Sequence, residues 1–431
     1  MMVNRQIQPV RAALKGVFQA PPSKSATHRA LVTAALAEGR SLLINPLDSM
    51  DTRVTLAGLE AIGVPCGAGR SGWWVDGIPA GMLPGGGTIN LGESGTSMRF
   101  LAALAGLCHR PVAFTGVGRL PSRPMEELLQ VLEAGGAVIQ RAADGSALPL
   151  AIGSGPNSAR GGSLRIQSGR SSQFASALLL TGSRLEGGLD LSLSTDAVSV
   201  PYVAMTAAIL SRFGVGVVQD GPLRWRVPQG SYSGRTWTVE GDWSSASYLL
   251  ASAAVAGGSV RVRGLEPGSH QPDAALLPVL IRCGHRVTVE EDEVTVDGQG
   301  PTAGFEEDVS SCPDLAPTLA ILGLFSREHC EIRSAGILRY KESDRLQLLA
   351  ENLGRLGRPV EIRGDDLVLP ECHGARLEGA EIRTDADHRI AMAFAVAGLV
   401  LPGMAIRDAQ CVCKSNPGFW AQLERLETGA A

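Results

Sequence analysis

Read for its alternation of polar and apolar positions, the chain repeats one figure six times: a short polar head, then a run of small and apolar residues. The six stretches are SKSATHRALVTAALAEG from Ser23, GTSMRFLAALAGL from Gly95, SSQFASALLLTG from Ser171, SSASYLLASAAVAGG from Ser244, DLAPTLAILGLFS from Asp314 and DHRIAMAFAVAGL from Asp387. With Ser25, Gly95, Ser171, Ser244, Asp314 and Asp387 as markers, the spacings are 70, 76, 73, 70 and 73 residues. A fixed period marks a repeated structural unit, and this one exceeds the ~20–50 residues of a solenoid repeat. Each unit is therefore expected to be a small subdomain built on a buried helix.

The pattern after each buried helix predicts a strand: SLLIN at Ser41, VAFTG at Val112, LDLSLS at Leu189, SVRVRG at Ser259, CEIRS at Cys330 and MAIRD at Met404. An amphipathic helix follows, as in TRVTLAGLEAIG from Thr52, PMEELLQVLEAGG from Pro124 and SDRLQLLAENLGRLG from Ser343. In five units it runs into a glycine (Gly63, Gly135, Gly214, Gly284, Gly354), the expected left-handed end of a helix. Next comes a hairpin, such as HRVTVEEDEVTVDG from His285, where valines alternate with charges. A further strand, such as TINLGES at Thr88 or RTWTVEG at Arg235, leads to the next head. The unit reads β-α-β-α-β-β. The sixth lacks its returning strands, and Arg5–Ala20 has no partner of its own, so the N-terminal segment is expected to complete it. The fold class is α/β, built of α+β repeats in two three-unit domains: 21–240, and 1–20 with 241–431. Gly153–Ser163 is expected to be a loop.

Composition narrows the function classes. An apolar content of 44% across 431 residues supports a large core. The net charge of −4 gives no global pull toward nucleic acid or membrane. Eight scattered cysteines match neither a zinc site nor a redox pair, so reduced thiols in a cytoplasmic protein are expected. No signal peptide is evident, and the longest apolar stretch, Ile390–Ile406, is broken by Gly398, Pro402 and Gly403.

The chemistry lies in the heads. Ser23–Arg29 places hydroxyls and two cations at a helix start after Pro21-Pro22, where free N–H groups favour an anion, with Ser25 or Thr27 as the capping hydroxyl. Gly95-Thr96-Ser97-Met98-Arg99 lets a phosphate approach the backbone closely. Ser171-Ser172-Gln173 offers two hydroxyls and an amide beside Arg170, and Lys341–Arg345 opens a helix with two acids and two bases. Asp314 is expected to cap Leu315–Leu322. Arg389, ahead of an almost wholly apolar helix, needs an anionic partner. Taken singly, each head also reads as an ordinary helix cap.

Together the heads resemble the 5-enolpyruvylshikimate-3-phosphate synthases, an enolpyruvyl transferase family. SKS-x3-R at Ser23, GTSMR at Gly95, RP at Arg123, SSQF at Ser171, KESDR at Lys341, DHR at Asp387 and Lys414 fall in the family's order along essentially the whole chain. The resemblance implies an inverse α/β barrel with inner helices and outer sheets. It implies transfer of the enolpyruvyl group of phosphoenolpyruvate to the 5-hydroxyl of shikimate 3-phosphate by addition and elimination, with no metal or organic cofactor. By matched position, Lys24, Ser25, Arg29, Ser171, Ser172, Gln173, Ser199, Asp314 and Lys341 would hold shikimate 3-phosphate, with Tyr202 nearby. Lys24, Gly95, Arg123, Gln173, Arg345, Arg389 and Lys414 would hold phosphoenolpyruvate. Asp314, Lys341, Glu342 and Lys24 are the candidate catalytic residues. The partners implied are these small molecules alone, bound by a monomer.

Glu93, Phe100 and Ile337 depart from the family's familiar pattern. Two other readings compete. UDP-N-acetylglucosamine 1-carboxyvinyltransferases share fold and donor but usually carry a reactive cysteine near Arg123; the loop Gly116–Arg123 has none, and Cys108 is expected at a helix end. A non-catalytic anion-binding scaffold would have interchangeable heads, whereas these differ in acid, base and amide content.

Overall fold

The structure is a computed structural model describing residues 3–429 except 80, 82, 156–159, 301 and 375. The chain divides into two compact units, Pro22–Val239 and Met1–Pro21 with Glu240–Ala431. Each has its own apolar core.

Each unit is built on three of the small-residue helices. In the first these are Lys24–Ala35, Gly95–Ala105 and Ser172–Gly182. In the second they are Trp243–Ala256, Ala316–Phe325 and His388–Gly398. Every residue of His388–Gly398 is buried, as a helix apolar on all sides must be. Around them, among the described residues, lie five four-stranded sheets of one design. A strand pairs in parallel with the strand after the inner helix, and that strand continues antiparallel into a hairpin. The expected elements therefore form, because alternation and helical period are local signals. The expected loop at Gly153–Ser163 is narrower: strands Leu150–Ser154 and Arg160–Ile166 flank it, and residues 156–159 lie outside the described residues.

Three expectations are corrected. The N-terminal segment does not simply complete the sixth unit. Arg5–Gln6 does pair antiparallel with Ala405–Ile406 of that unit's three-stranded sheet, but Leu14–Gln19 joins the fourth unit, parallel to Gly258–Arg263. Likewise Thr236–Thr238, which leads into the fourth inner helix, pairs back with Arg40–Ile44 of the first unit. The strand before each crossing stays in the unit it is leaving, so both sheets close. Second, the left-handed residues after two helices are Gly136 (φ 95°) and Gly357 (φ 86°) rather than Gly135 and Gly354; Gly354 lies within the helix Arg345–Arg355. Third, Cys108 starts the short strand Cys108–Arg110 rather than ending a helix.

Candidate functional site

In the unit Pro22–Val239 the heads converge at the helix starts. Ser23, not Ser25 or Thr27, caps the first inner helix, accepting from the Ala26 N–H at 3.3 Å. Ser25 and Thr27 lie one step further in, where the Thr27 hydroxyl donates to the Ser23 carbonyl and accepts from the Leu47 N–H. Lys24 Nζ sits 3.2 Å from Asp51 Oδ2. Arg29 is buried among neutral groups. Its Nε donates to Thr206 Oγ1 at 2.7 Å, Nη1 to the Ser25 carbonyl at 2.9 Å, and Nη2 to Ser176 Oγ and the Tyr202 carbonyl at 3.2 Å. The rings of Phe100 and Tyr202 lie 5.3 and 5.9 Å from its guanidinium. Burial lowers the Arg29 pKa to about 10, with Tyr202 opposing.

Ser94 caps the second inner helix and Ser171 the third. Gln173 is fixed at both ends of its amide: Oε1 accepts from Arg99 Nη1, and Nε2 donates to Thr96 Oγ1, each at 2.9 Å. Arg99 also donates to the Pro124 carbonyl at 2.8 Å and lies over Phe174. A methyl group placed on Gly95 would fall 2.5 Å from Arg99 Nη1 and 2.6 Å from Arg123 Nη1. Two guanidinium groups thus close on one helix N-terminus whose first residue has no side chain to displace them. A cavity of about 550 Å³ opens beside Arg123, lined also by Met125, Arg141, Asp144 and Arg170. Ser172 is buried in the first turn of the third inner helix. Ser199 is left-handed (φ 55°) and makes no cap bond at the start of Val200–Arg212, a conformation that costs a serine free energy. Tyr202 serves through its ring and its carbonyl.

In the other unit the candidates form an ionic cluster. Arg345, fully buried, donates Nε to Asp387 Oδ2 at 3.0 Å and Nη1 to Asp314 Oδ1 at 3.1 Å; Nη2 donates to Glu342 Oε2 at 3.0 Å and Asp387 Oδ1 at 3.2 Å. Arg389 finds the anionic partner its setting requires in Asp314 Oδ2, at 2.8 Å. Lys341 Nζ lies 3.6 Å from Asp314 Oδ1. Asp314 does not cap its helix, because its carboxylate is taken up by these cations; no side-chain bond caps Ala316–Phe325. Burial would raise the Asp314 pKa, but Arg389, Lys341 and Arg345 outweigh it and hold the carboxyl far below the usual range. Asp387 caps the sixth inner helix, accepting from the Arg389 N–H at 2.9 Å and from Ser343 Oγ at 2.9 Å. Lys414 ends the turn Ala409–Lys414, which packs on that helix.

Four residues outside the expected set prove central to these arrangements. Asp51 pairs Lys24, Arg99 orients Gln173, and Asp387 anchors Arg345. Tyr248 is buried beside Arg389, Arg345 and Asp314, and burial pushes its hydroxyl up to about 12. Arg99, Tyr248 and Asp387 stand inside heads recognisable in the sequence; Asp51 gave no such signal. The departures are also placed. Phe100 supports Arg29, Ile337 is buried, and Glu93 lies against Gly118, where a side chain would have no room.

The comparisons with known proteins agree across the whole length. The family described as EPSP synthase (3-phosphoshikimate 1-carboxyvinyltransferase) matches residues 9–423. The chain is 42% identical over 426 residues to the 3-phosphoshikimate 1-carboxyvinyltransferase of Methanoculleus marisnigri, covering 97% of each. It superposes on the EPSP synthase of Acinetobacter baumannii with a TM-score of 0.82 at 26% identity, covering 98% of each chain. The enolpyruvyl transferase NikO of Streptomyces tendae, at 19% identity and a TM-score of 0.78 over 99% of this chain and 97% of its own, shares the fold. With this coverage and identity, the chain belongs to the EPSP synthase family.

Proposed function

We propose that this chain transfers the enolpyruvyl group of phosphoenolpyruvate to the 5-hydroxyl of shikimate 3-phosphate, as a cytoplasmic monomer of the shikimate pathway. The observation that carries this reading is the closure of Arg99 and Arg123 on the bare N-terminal glycine of the helix Gly95–Ala105. Such a cradle suits a small dianion whose oxygens take N–H groups and bidentate guanidinium together. Lys24, Gln173, Arg345, Arg389 and Lys414 complete the grip on phosphoenolpyruvate. Ser25, Arg29, Ser171, Ser172, Ser199, Asp314 and Lys341 hold shikimate 3-phosphate, with Tyr202 beside them.

In the addition step the 5-oxygen bonds to carbon-2 of phosphoenolpyruvate, the hydroxyl proton leaves to a base, and carbon-3 gains a proton. In the elimination, carbon-3 loses a proton and the bond from carbon-2 to the phosphate oxygen breaks. Asp314, Lys341, Glu342 and Lys24 are the groups proposed to move these protons. The test measures phosphate release from phosphoenolpyruvate with shikimate 3-phosphate against UDP-N-acetylglucosamine. Release with the first alone is expected; release with the nucleotide sugar alone overturns the reading. The nucleotide-sugar alternative gains no support at Cys108, which is buried with its thiol pushed up to about 12.

A further inference from the structure

His28 belongs to the first head, yet none of the substrate contacts proposed above uses it. It is fully buried. It lies one helical turn after Lys24, and Asp51 and Thr55 are spaced the same way on the helix Met50–Ala61. Residues four apart share a helix face, so the two helices meet through two rungs. Lys24 Nζ to Asp51 Oδ2 is 3.2 Å, and His28 Nδ1 to Thr55 Oγ1 is 2.7 Å. Ser97, on the helix Gly95–Ala105, ties both rungs together. Its hydroxyl donates to the Asp51 carbonyl at 3.2 Å and lies 2.8 Å from Thr55 Oγ1 and 2.7 Å from Ser94 Oγ.

One ordering of this network uses each proton once: Ser97 donates to the Asp51 carbonyl, Thr55 to Ser97, and His28, as the Nδ1–H tautomer, to Thr55. The buried Nε2 has no hydrogen-bond partner among the described residues, so a proton there would be left unpaired, which favours this ordering. Burial, with Lys24 and Arg29 nearby, lowers its pKa well below the ordinary value, so the imidazole stays neutral.

We propose that His28 is a positioning residue: the chain His28 Nδ1–H to Thr55 to Ser97 to the Asp51 carbonyl sets Lys24 and the Gly95 helix start in register as one anion-receiving face. The proposal rests on the functional reading above for what that face binds. Its elements are two cationic helix starts and a buried hydroxyl relay between them, and a small error in their register misplaces both at once.

The test compares H28L, which removes the donor at similar volume, with H28N, whose amide N–H can take the place of Nδ1–H. T55V breaks the same relay at its middle and serves if H28L does not fold. Expected for H28L or T55V is a KM for phosphoenolpyruvate raised about 10–100-fold, as for a buried partner left unpaired, with kcat lowered far less. H28N should return to within about threefold of wild type, and H28L/T55V should be no worse than either single change. Wild-type KM in both H28L and T55V, or H28N as impaired as H28L, overturns the proposal. A second readout is independent of substrate: the nitrogen NMR spectrum of labelled histidine should show His28 protonated at Nδ1, and an Nε2–H tautomer overturns the relay. If wild-type protein does not turn over shikimate 3-phosphate, the functional reading has failed, and the tautomer still decides the relay.

Discussion

Two buried arginines, Arg29 in one unit and Arg345 in the other, are held in opposite ways. In Pro22–Val239, Arg29 is surrounded by hydroxyls, carbonyls and rings, with no carboxylate among its bonded partners. In the other unit, Arg345 touches three carboxylates, and Arg389 and Lys341 share Asp314. A buried charge without a counter-charge is costly, and a bound anion relieves that cost. A buried charge already neutralised has less to gain from an anion, and at Asp314 the surrounding cations hold the carboxyl ionised. The first arrangement suits substrate capture, and the second fixes the charges among which the proposed proton transfers take place.

The largest expected effect strikes the ionic cluster. Glu342→Gln and Asp314→Asn keep shape and remove a titratable group, and should lower kcat by ~10²–10⁴-fold. Near-normal steady-state rates in both variants would remove the proton-transfer role and with it half of the contrast.

Next comes a paired test of stability against binding. Asp387→Ala takes one of three carboxylates from the buried Arg345 and removes the cap of its helix, and should cost about 3–5 kcal/mol in urea unfolding. Arg29→Met removes a cation whose partners are neutral, so the fold should lose about 1–3 kcal/mol. Binding of shikimate 3-phosphate, measured by calorimetry, should weaken by about 2–5 kcal/mol. The contrast breaks if the two variants exchange these signatures.

How much of this was legible beforehand follows from the range of each signal. The period, the inner helices and the hairpins were readable because a buried helix and an alternating strand each write themselves into consecutive residues. The exchange of Leu14–Gln19 and Thr236–Thr238 between repeats was not, because a strand's partner is fixed by sheet closure far away in sequence. Cap identity slipped at Ser23 and Asp314 for a related reason: propensity names a good capping residue, but Asp314 is claimed by three cations brought from elsewhere. Family motifs named the cations around Asp314. They did not show that Asp387 and Glu342 would chelate Arg345, which is a matter of packing.

A smaller effect is expected at Gly95. Alanine there must displace two guanidinium groups approaching within 2.6 Å, while the helix gains a better former. Gly95→Ala should therefore raise the KM for phosphoenolpyruvate about tenfold, roughly 1.4 kcal/mol, with thermal stability unchanged or slightly higher. An unaltered KM would mean that the cradle does not meet the donor.

The smallest effect is one of pH, and its sign follows from Asp314. Burial alone would raise this carboxyl's pKa, but Arg389, Lys341 and Arg345 hold it well below the usual range. The folded state therefore releases the proton more readily than the unfolded chain, whose aspartate titrates near 3.9. Above about pH 5 both states are ionised, and the stabilisation is complete and flat. As pH falls below about 4 the unfolded chain takes up the proton first, so stability drops, at most by about 1.4 kcal/mol per pH unit from this group. Asp314→Asn lacks that term. The stability gap between wild type and Asp314→Asn, measured by urea unfolding, should be constant from pH 7 to 5 and shrink from pH 4 to 3. A gap that widens on acidification would mean that Asp314 is bound to its proton in the folded protein. Arg345 would then be balanced by Asp387 and Glu342 alone, Arg389 and Lys341 would face a neutral carboxyl, and the contrast between the two units would narrow.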